Sequence, residues 1–193
     1  TQALCEGLNE DLFTLEDKWI LSALNKINTD VSEKIETYAF DQSATLAYDF
    51  FWKEFCAYYV EINKPFLFLK EGSPQIRENK QKLLVIVLCN ALRLMHPMAP
   101  FITEEIFQIL KTRFPLLEIH TDADPYTQEM IQALQVESCM LAPYPTVIRK
   151  EDINIDVNHT FSLMEEIIYT IRNIRGEMKL PPSTQTDVFI SAP

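Results

Sequence analysis

Two adjacent carboxylate pairs, Glu104-Glu105 and Glu165-Glu166, are the first residues to weigh for acid–base chemistry. Neighbours on a helix point roughly 100° apart, so neither pair shares a proton or a substrate. Both fit a solvated face, and the first also places favourable negative charge at a helix start. His96, His120 and His159 have no local spacing to a cysteine or carboxylate that would set two metal ligands on one face. Cys5, Cys56, Cys89 and Cys139 form no CxxC pair, which predicts neither a zinc site nor disulfides. Met95 and Met98 fit packing rather than ligation. With three glycines in 193 residues, Gly7, Gly72 and Gly176, there is almost no material for a loop that cradles phosphate. No catalytic residues are predicted.

Binding chemistry is better represented. The formal charge of −11 argues against a phosphate-bearing partner, because such affinity rests on Lys and Arg. Its distribution says otherwise: from Lys64 to Arg93 six basic residues (Lys64, Lys70, Arg77, Lys80, Lys82, Arg93) face two acidic ones (Glu71, Glu78), a local +4. The aromatic run Tyr48, Phe50, Phe51, Trp52, Phe55, Tyr58, Tyr59 could include platforms for stacked bases, although helical spacing makes most of these rings core.

The elements that must position these groups are helices. Thr14 and Asp17 have capping-box spacing, and Trp19, Leu24, Ile27, Val31, Ile35 and Tyr38 recur at helical intervals with Lys18, Asn25, Lys26, Asp30, Glu33 and Lys34 opposite, predicting a helix over 15–37. Phe40 as a staple and Asp41 as N-cap open a second, over 41–63, with a stripe of Ala44, Ala47, Phe51, Phe55, Tyr58 and Ile62 that ends before Pro65. Ser73-Pro74 starts a third, over 74–95, apolar on nearly every side between Leu83 and Leu94 and therefore central. A fourth runs from about Thr103 and is closed by Pro115; residues 116–150 read as irregular with one short helix near 127–134; another helix covers 158–174, and Thr186 to Ile190 reads as a strand. Short loops force the first helices antiparallel, so residues near 14–18 and 60–77 meet at one end of the bundle and 38–41 and 95–100 at the other. An apolar run of only Leu83 to Cys89 is too short to span a bilayer, which predicts a soluble, cytoplasmic chain. A lone strand without a partner suggests a piece of a longer polypeptide.

Four segments in this order, DKWILSALNKI at 17–27, YDFFWKEFCAYYVEINKP at 48–65, LRLMHPMAPFITEEIFQIL at 92–110 and IRNIRGEMKLPP at 171–182, resemble the helical domain that follows the catalytic core of valyl-tRNA synthetases. Synthetases for leucine, isoleucine and methionine share part of the pattern around 100–105. The valyl likeness leans on HPMAPFITEE, FWKEFC and the group Arg172, Arg175, Glu177 and Met178. Ala57-Tyr58 stands where the family usually has Asp-Trp, and Phe107 and Tyr144 each replace a common Trp. The family's HIGH and KMSKS signatures are absent from the 193 residues.

The resemblance implies an all-α, antiparallel helix bundle of the class I synthetase anticodon-binding type, with a short truncated α/β tail: residues 1–150 as the bundle, 151–193 as the start of a further subdomain. It implies a non-catalytic module that binds valine-specific tRNA and positions it, within a monomeric enzyme that uses ATP and Mg. The anticodon end of tRNA lies far from the acceptor end, so the tip near 14–18 and 60–77 is the expected contact. Lys64, Lys70, Arg77 and Lys80 are the candidates for phosphates, Phe66 and Phe68 for stacking, with Arg172, Arg175 and Lys179 as a second group. A rival from another class, a helical protein-interaction module, would account for the acidity without RNA.

Overall fold

The computed structural model of the protein describes residues 5–115, 122–181 and 183–189. Within them six helices surround one apolar core. Helix α1 is Leu15–Glu36, and its start is held by the Asp17 carboxylate, which accepts the Thr14 backbone N–H at 3.0 Å. Tyr38 adopts a left-handed φ of 60° and Ala39 donates to the Lys34 carbonyl at 2.8 Å, the chain reversal that closes many helices. So tight a turn places the next helix start at Phe40 with Ala39 as its cap; Asp41 falls inside the first turn, and no side chain caps the end.

Helix α2 is continuous over 40–67 but changes winding: α over Phe40–Asp49, π over Phe50–Val60, α again over Glu61–Leu67. The wider π turn moves the buried stripe. Ala47, Phe50, Phe55, Tyr59 and Asn63 face the core, whereas Phe51 and Tyr58, expected there from a regular period, are only partly buried. Pro65 lies inside the last turn instead of ending it, and its carbonyl accepts Lys70 N–H at 2.9 Å as the chain turns away.

Helix α3, Pro74–Met95, is the central element and packs against α1, α2, α4 (Pro100–Arg113) and α5 (Pro125–Gln135). Its Ser73 cap accepts the Ile76 N–H, with proline at the first helical position. Helix α6, Ile155–Glu177, crosses α1, where Phe161 stacks on Trp19 at 3.6 Å and 8°. Of the segment expected to be irregular, 116–121 lies outside the described residues; 122–152 carries α5 and two single 3-10 turns, Cys139–Leu141 and Lys150–Asp152.

Buried polar groups fasten that return segment. Asn25, expected on the solvent face, is fully buried; its Oδ1 accepts Ile148 N–H at 2.8 Å and Arg149 N–H at 3.1 Å, while its Nδ2 donates to Tyr126 Oη. Asn28 donates to the Thr146 carbonyl, and Arg93, 2% exposed, to the Pro143 carbonyl and the Glu129 carboxylate. The strand expected from 186 does not form over 186–189: with no strand to pair with among the described residues, the Pro181 and Thr184 carbonyls and the Thr186 hydroxyl accept instead from the Arg175 guanidinium, each at 2.9 Å. Ile190 lies outside the described residues. No described helix is long and apolar enough to cross a membrane.

Candidate nucleic-acid interface

Tyr59 and Lys80, which flank the 60–77 segment expected beside 14–18, meet Thr14, Glu16 and Asp17 in a buried polar cluster. Lys80 Nζ lies 2.8 Å from Thr14 Oγ1 and 3.0 Å from Glu16 and from both oxygens of Asp17, and Tyr59 Oη donates to Asp17 at 2.7 Å. Asp17 and Tyr59 are fully buried and Lys80 is 1% exposed. Burial and the neighbouring Asp17 charge push the Tyr59 phenol far up, which keeps it a donor. Burial pushes Glu16 upward, but the hydrogen bonds from Thr14, its own backbone N–H and Lys80 outweigh it, and the carboxyl ends below its ordinary range.

The structure thus places Lys80, expected to meet phosphate, with its ammonium buried against Asp17 and Glu16. Sequence spacing could not show this, because the acids that surround it come from a helix more than sixty residues away. The same holds for most of the local +4. Lys82 pairs with Glu78 and donates to the Gly7 carbonyl, Arg93 is buried against Glu129, and Lys64 is exposed but paired with Glu61 at 2.6 Å. Lys70 and Arg77 are left as the two cations of that segment without an acidic partner among the described residues. Arg77 is half-buried, and its Nε is sealed from solvent with no hydrogen-bond partner.

Between α2 and α3 the loop folds back on itself. Leu69 takes a left-handed φ of 52° and Gly72 one of 76°. A Cβ on Gly72 would stand 3.0 Å from the Phe66 ring, so glycine is needed both for its φ and for the approach. Phe66 is thereby held beneath the loop, partly buried, with Lys80 Nζ 4.7 Å from its ring centre. Phe68 is 70% exposed beside exposed Lys70. Of the second group, Arg172 and Lys179 are exposed, while Arg175 holds the chain that follows α6. The contacts of α6 run to Trp19, Ser22 and Tyr58 and to a pocket of about 410 Å³ that Glu165 shares with Glu54 and Asp49, away from the loop at 68–73.

Reactive chemistry is thin. Burial pushes the Cys89 thiol up to about 12 and the Cys139 thiol to about 11, leaving both protonated and poorly nucleophilic. His96 Nδ1 sits 2.8 Å from Thr103 Oγ1 at the α3–α4 junction; His120 lies outside the described residues. Among the described residues no three His, Cys, Asp or Glu side chains converge as metal ligands.

Residues 17–190 match the family model described as the anticodon-binding domain of tRNA ligase. The chain belongs to that family. Among its relatives, the valine–tRNA ligase of Protochlamydia amoebophila is 63% identical over 190 residues, and those of Chlamydia felis and Chlamydia caviae are 40% and 42% identical over 190 and 193 residues. Each alignment takes in 98% of this chain and 20% of the relative, so the chain spans about a fifth of the length of the curated relatives it matches. At the end of the bundle that holds the Lys80 cluster, Lys70 and Phe68 are exposed and Arg77 is half-buried.

Proposed function

We propose that this chain is the module of a valine–tRNA ligase that binds the anticodon region of valine-specific tRNA and orients it. The match over 17–190 carries the reading, and the nearby valine–tRNA ligases support the amino acid. The bundle contributes binding and orientation only; bond-making, with ATP and Mg, belongs to the remainder of such a ligase. A cytoplasmic monomer is part of the same proposal, as is a boundary near residue 150 between the bundle and a following subdomain.

At the tip, Lys70 and Arg77 meet phosphate oxygens. Exposed Phe68 offers a ring face to an unpaired base. Lys64 joins once its exposed pair with Glu61 is exchanged for phosphate, since such surface pairs are worth about 0–1 kcal/mol. Titrating the chain with a valine tRNA transcript at several salt concentrations tests this. We expect binding whose log affinity falls linearly with log salt, and a Lys70→Ala/Arg77→Ala double change that flattens the slope by about 1.5 units at roughly 0.7–0.9 per lost contact. A slope that the double change leaves intact removes these residues from the site, and no salt-dependent binding at all favours a protein-interaction module.

A further inference from the structure

The end of the bundle away from the Lys80 cluster is closed by three stretches without Asp, Glu, Lys or Arg, 37–40, 94–103 and 138–145, in a chain that is 23% charged. The first joins α1 to α2, and the second joins α3 to α4. The third reaches the same end along α4. Lys111 donates to the Val136 carbonyl, Gln108 to that of Glu137, and Glu104 accepts the Cys139 N–H at 2.9 Å, so Met140 and Leu141 follow beside the start of α4. Between the stretches lies a groove of about 360 Å³ lined by Ile35, Phe40, Pro97, Met98 and Tyr144. Its one polar side-chain group, the Tyr144 hydroxyl, donates to the Leu94 carbonyl at 3.2 Å.

Around the groove apolar side chains stand uncovered. Phe101 is 91% exposed, Tyr38 81% and Met140 75%, and Phe40, Ile102 and Leu141 are each more than half exposed. At roughly 150–250 Å² per aromatic side chain, the rings of Phe101, Tyr38 and Phe40 alone present about 350–550 Å² to solvent. With Ile102, Met140 and Leu141 added, the total passes the roughly 300–600 Å² of the largest apolar patch on a typical monomer. Such a surface does not suit RNA, because the three stretches supply no Lys or Arg to replace counterions. It does suit an interface between domains of one polypeptide, which buries about 600–1,500 Å² over both sides.

We infer that this end docks the bundle onto the remaining body of the ligase, through an apolar surface of that body seated on the groove beside Phe40 and Met98 and on Phe101. The inference rests on the module reading above: this chain covers 20% of its curated relatives, which leaves four-fifths of such a ligase to supply the occupant. Phe68 and Lys70 stand at the opposite end of α3, whose 22 residues span about 33 Å at 1.5 Å per residue. Seating one end of the bundle on the body thereby fixes where the other end, and the RNA arm it holds, stands relative to that body.

Hydroxyl-radical footprinting read by mass spectrometry, on this chain alone and on the full-length ligase without tRNA, tests the docking on unaltered side chains. An interface core excludes solvent, so labelling of Phe101, Tyr38 and Met140 should fall about threefold or more in the full-length ligase, while exposed Phe68 is labelled alike in both. Phe101→Asp should not lower the urea midpoint of the chain, yet should restore labelling of Tyr38 in the full-length ligase and slow transfer of valine to tRNA. Equal labelling of Phe101 in the two proteins overturns the docking and leaves the tRNA reading standing. A full-length protein that binds no tRNA overturns both. A lowered midpoint for Phe101→Asp assigns the ring to the bundle's own packing. Protection of Phe101 by tRNA on the chain alone makes this end an RNA contact, and a dimer of the chain that Phe101→Asp disperses makes the occupant a second copy; each of these three overturns the inference.

Discussion

Replacing Lys80 with methionine removes the ammonium and keeps most of the stem, which isolates what the charge does at the tip of the bundle. In its absence the fully buried Asp17 keeps the Tyr59 hydroxyl at 2.7 Å and the Thr14 N–H at 3.0 Å but has no cation beside it, and Glu16 loses its partner as well. Breaking one side of a buried pair costs about 3–5 kcal/mol, most of it from the charge left behind. Against a total of about 5–15 kcal/mol that is a large fraction, and for a chain of this size it lowers the melting temperature by about 6–20 °C. Asp17→Asn added to Lys80→Met removes the orphaned charge while keeping an oxygen for Tyr59, so the double variant should be more stable than Lys80→Met alone. Urea denaturation followed by near-UV circular dichroism reads both. The salt slope for tRNA, measured where Lys80→Met is still folded, should not move. A variant of unchanged stability whose slope falls by about one unit would refute the structural role and return Lys80 to the phosphate contacts.

Arg93→Met should destabilise by about 3 kcal/mol for the same reason, since Glu129 loses its buried partner and the Pro143 carbonyl its donor; faster amide exchange over 139–149 would locate the effect. Glu54 titrates differently: burial first, then the Glu165 and Asp49 charges, push its carboxyl up to about 7, with Lys26 opposing. A raised carboxyl binds its proton more tightly folded than unfolded, so stability should fall as pH rises from about 4.5 to about 7, and Glu54→Gln should abolish that part of the pH dependence in urea midpoints taken across the window. A midpoint that rises over the same range would contradict the assignment.

Helix positions were legible wherever a local rule acts alone. The Thr14–Asp17 cap, proline after Ser73, and the stops before Pro97 and after Arg113 depend on neighbours within a few residues, and these boundaries fall within a residue or two of where spacing puts them. The α2 stripe was not fully legible, because a regular period cannot show a π stretch whose wider turn replaces Phe51 and Tyr58 with Phe50 and Tyr59. Asn25 looked like a surface residue for a related reason: its acceptor serves the backbone at Ile148 and Arg149, more than a hundred residues along.

The sequence by itself determined the all-α bundle and the family, since periodicity, caps and short loops are local and the four motif segments are matched in order. Which cations face solvent was decided only by tertiary structure. A lysine's charge is the same in either setting, but whether Asp17 and Glu16 arrive beside it depends on how α1 and α3 pack, and that packing buries Lys80 while Lys70 and Arg77 have no acid partner among the described residues.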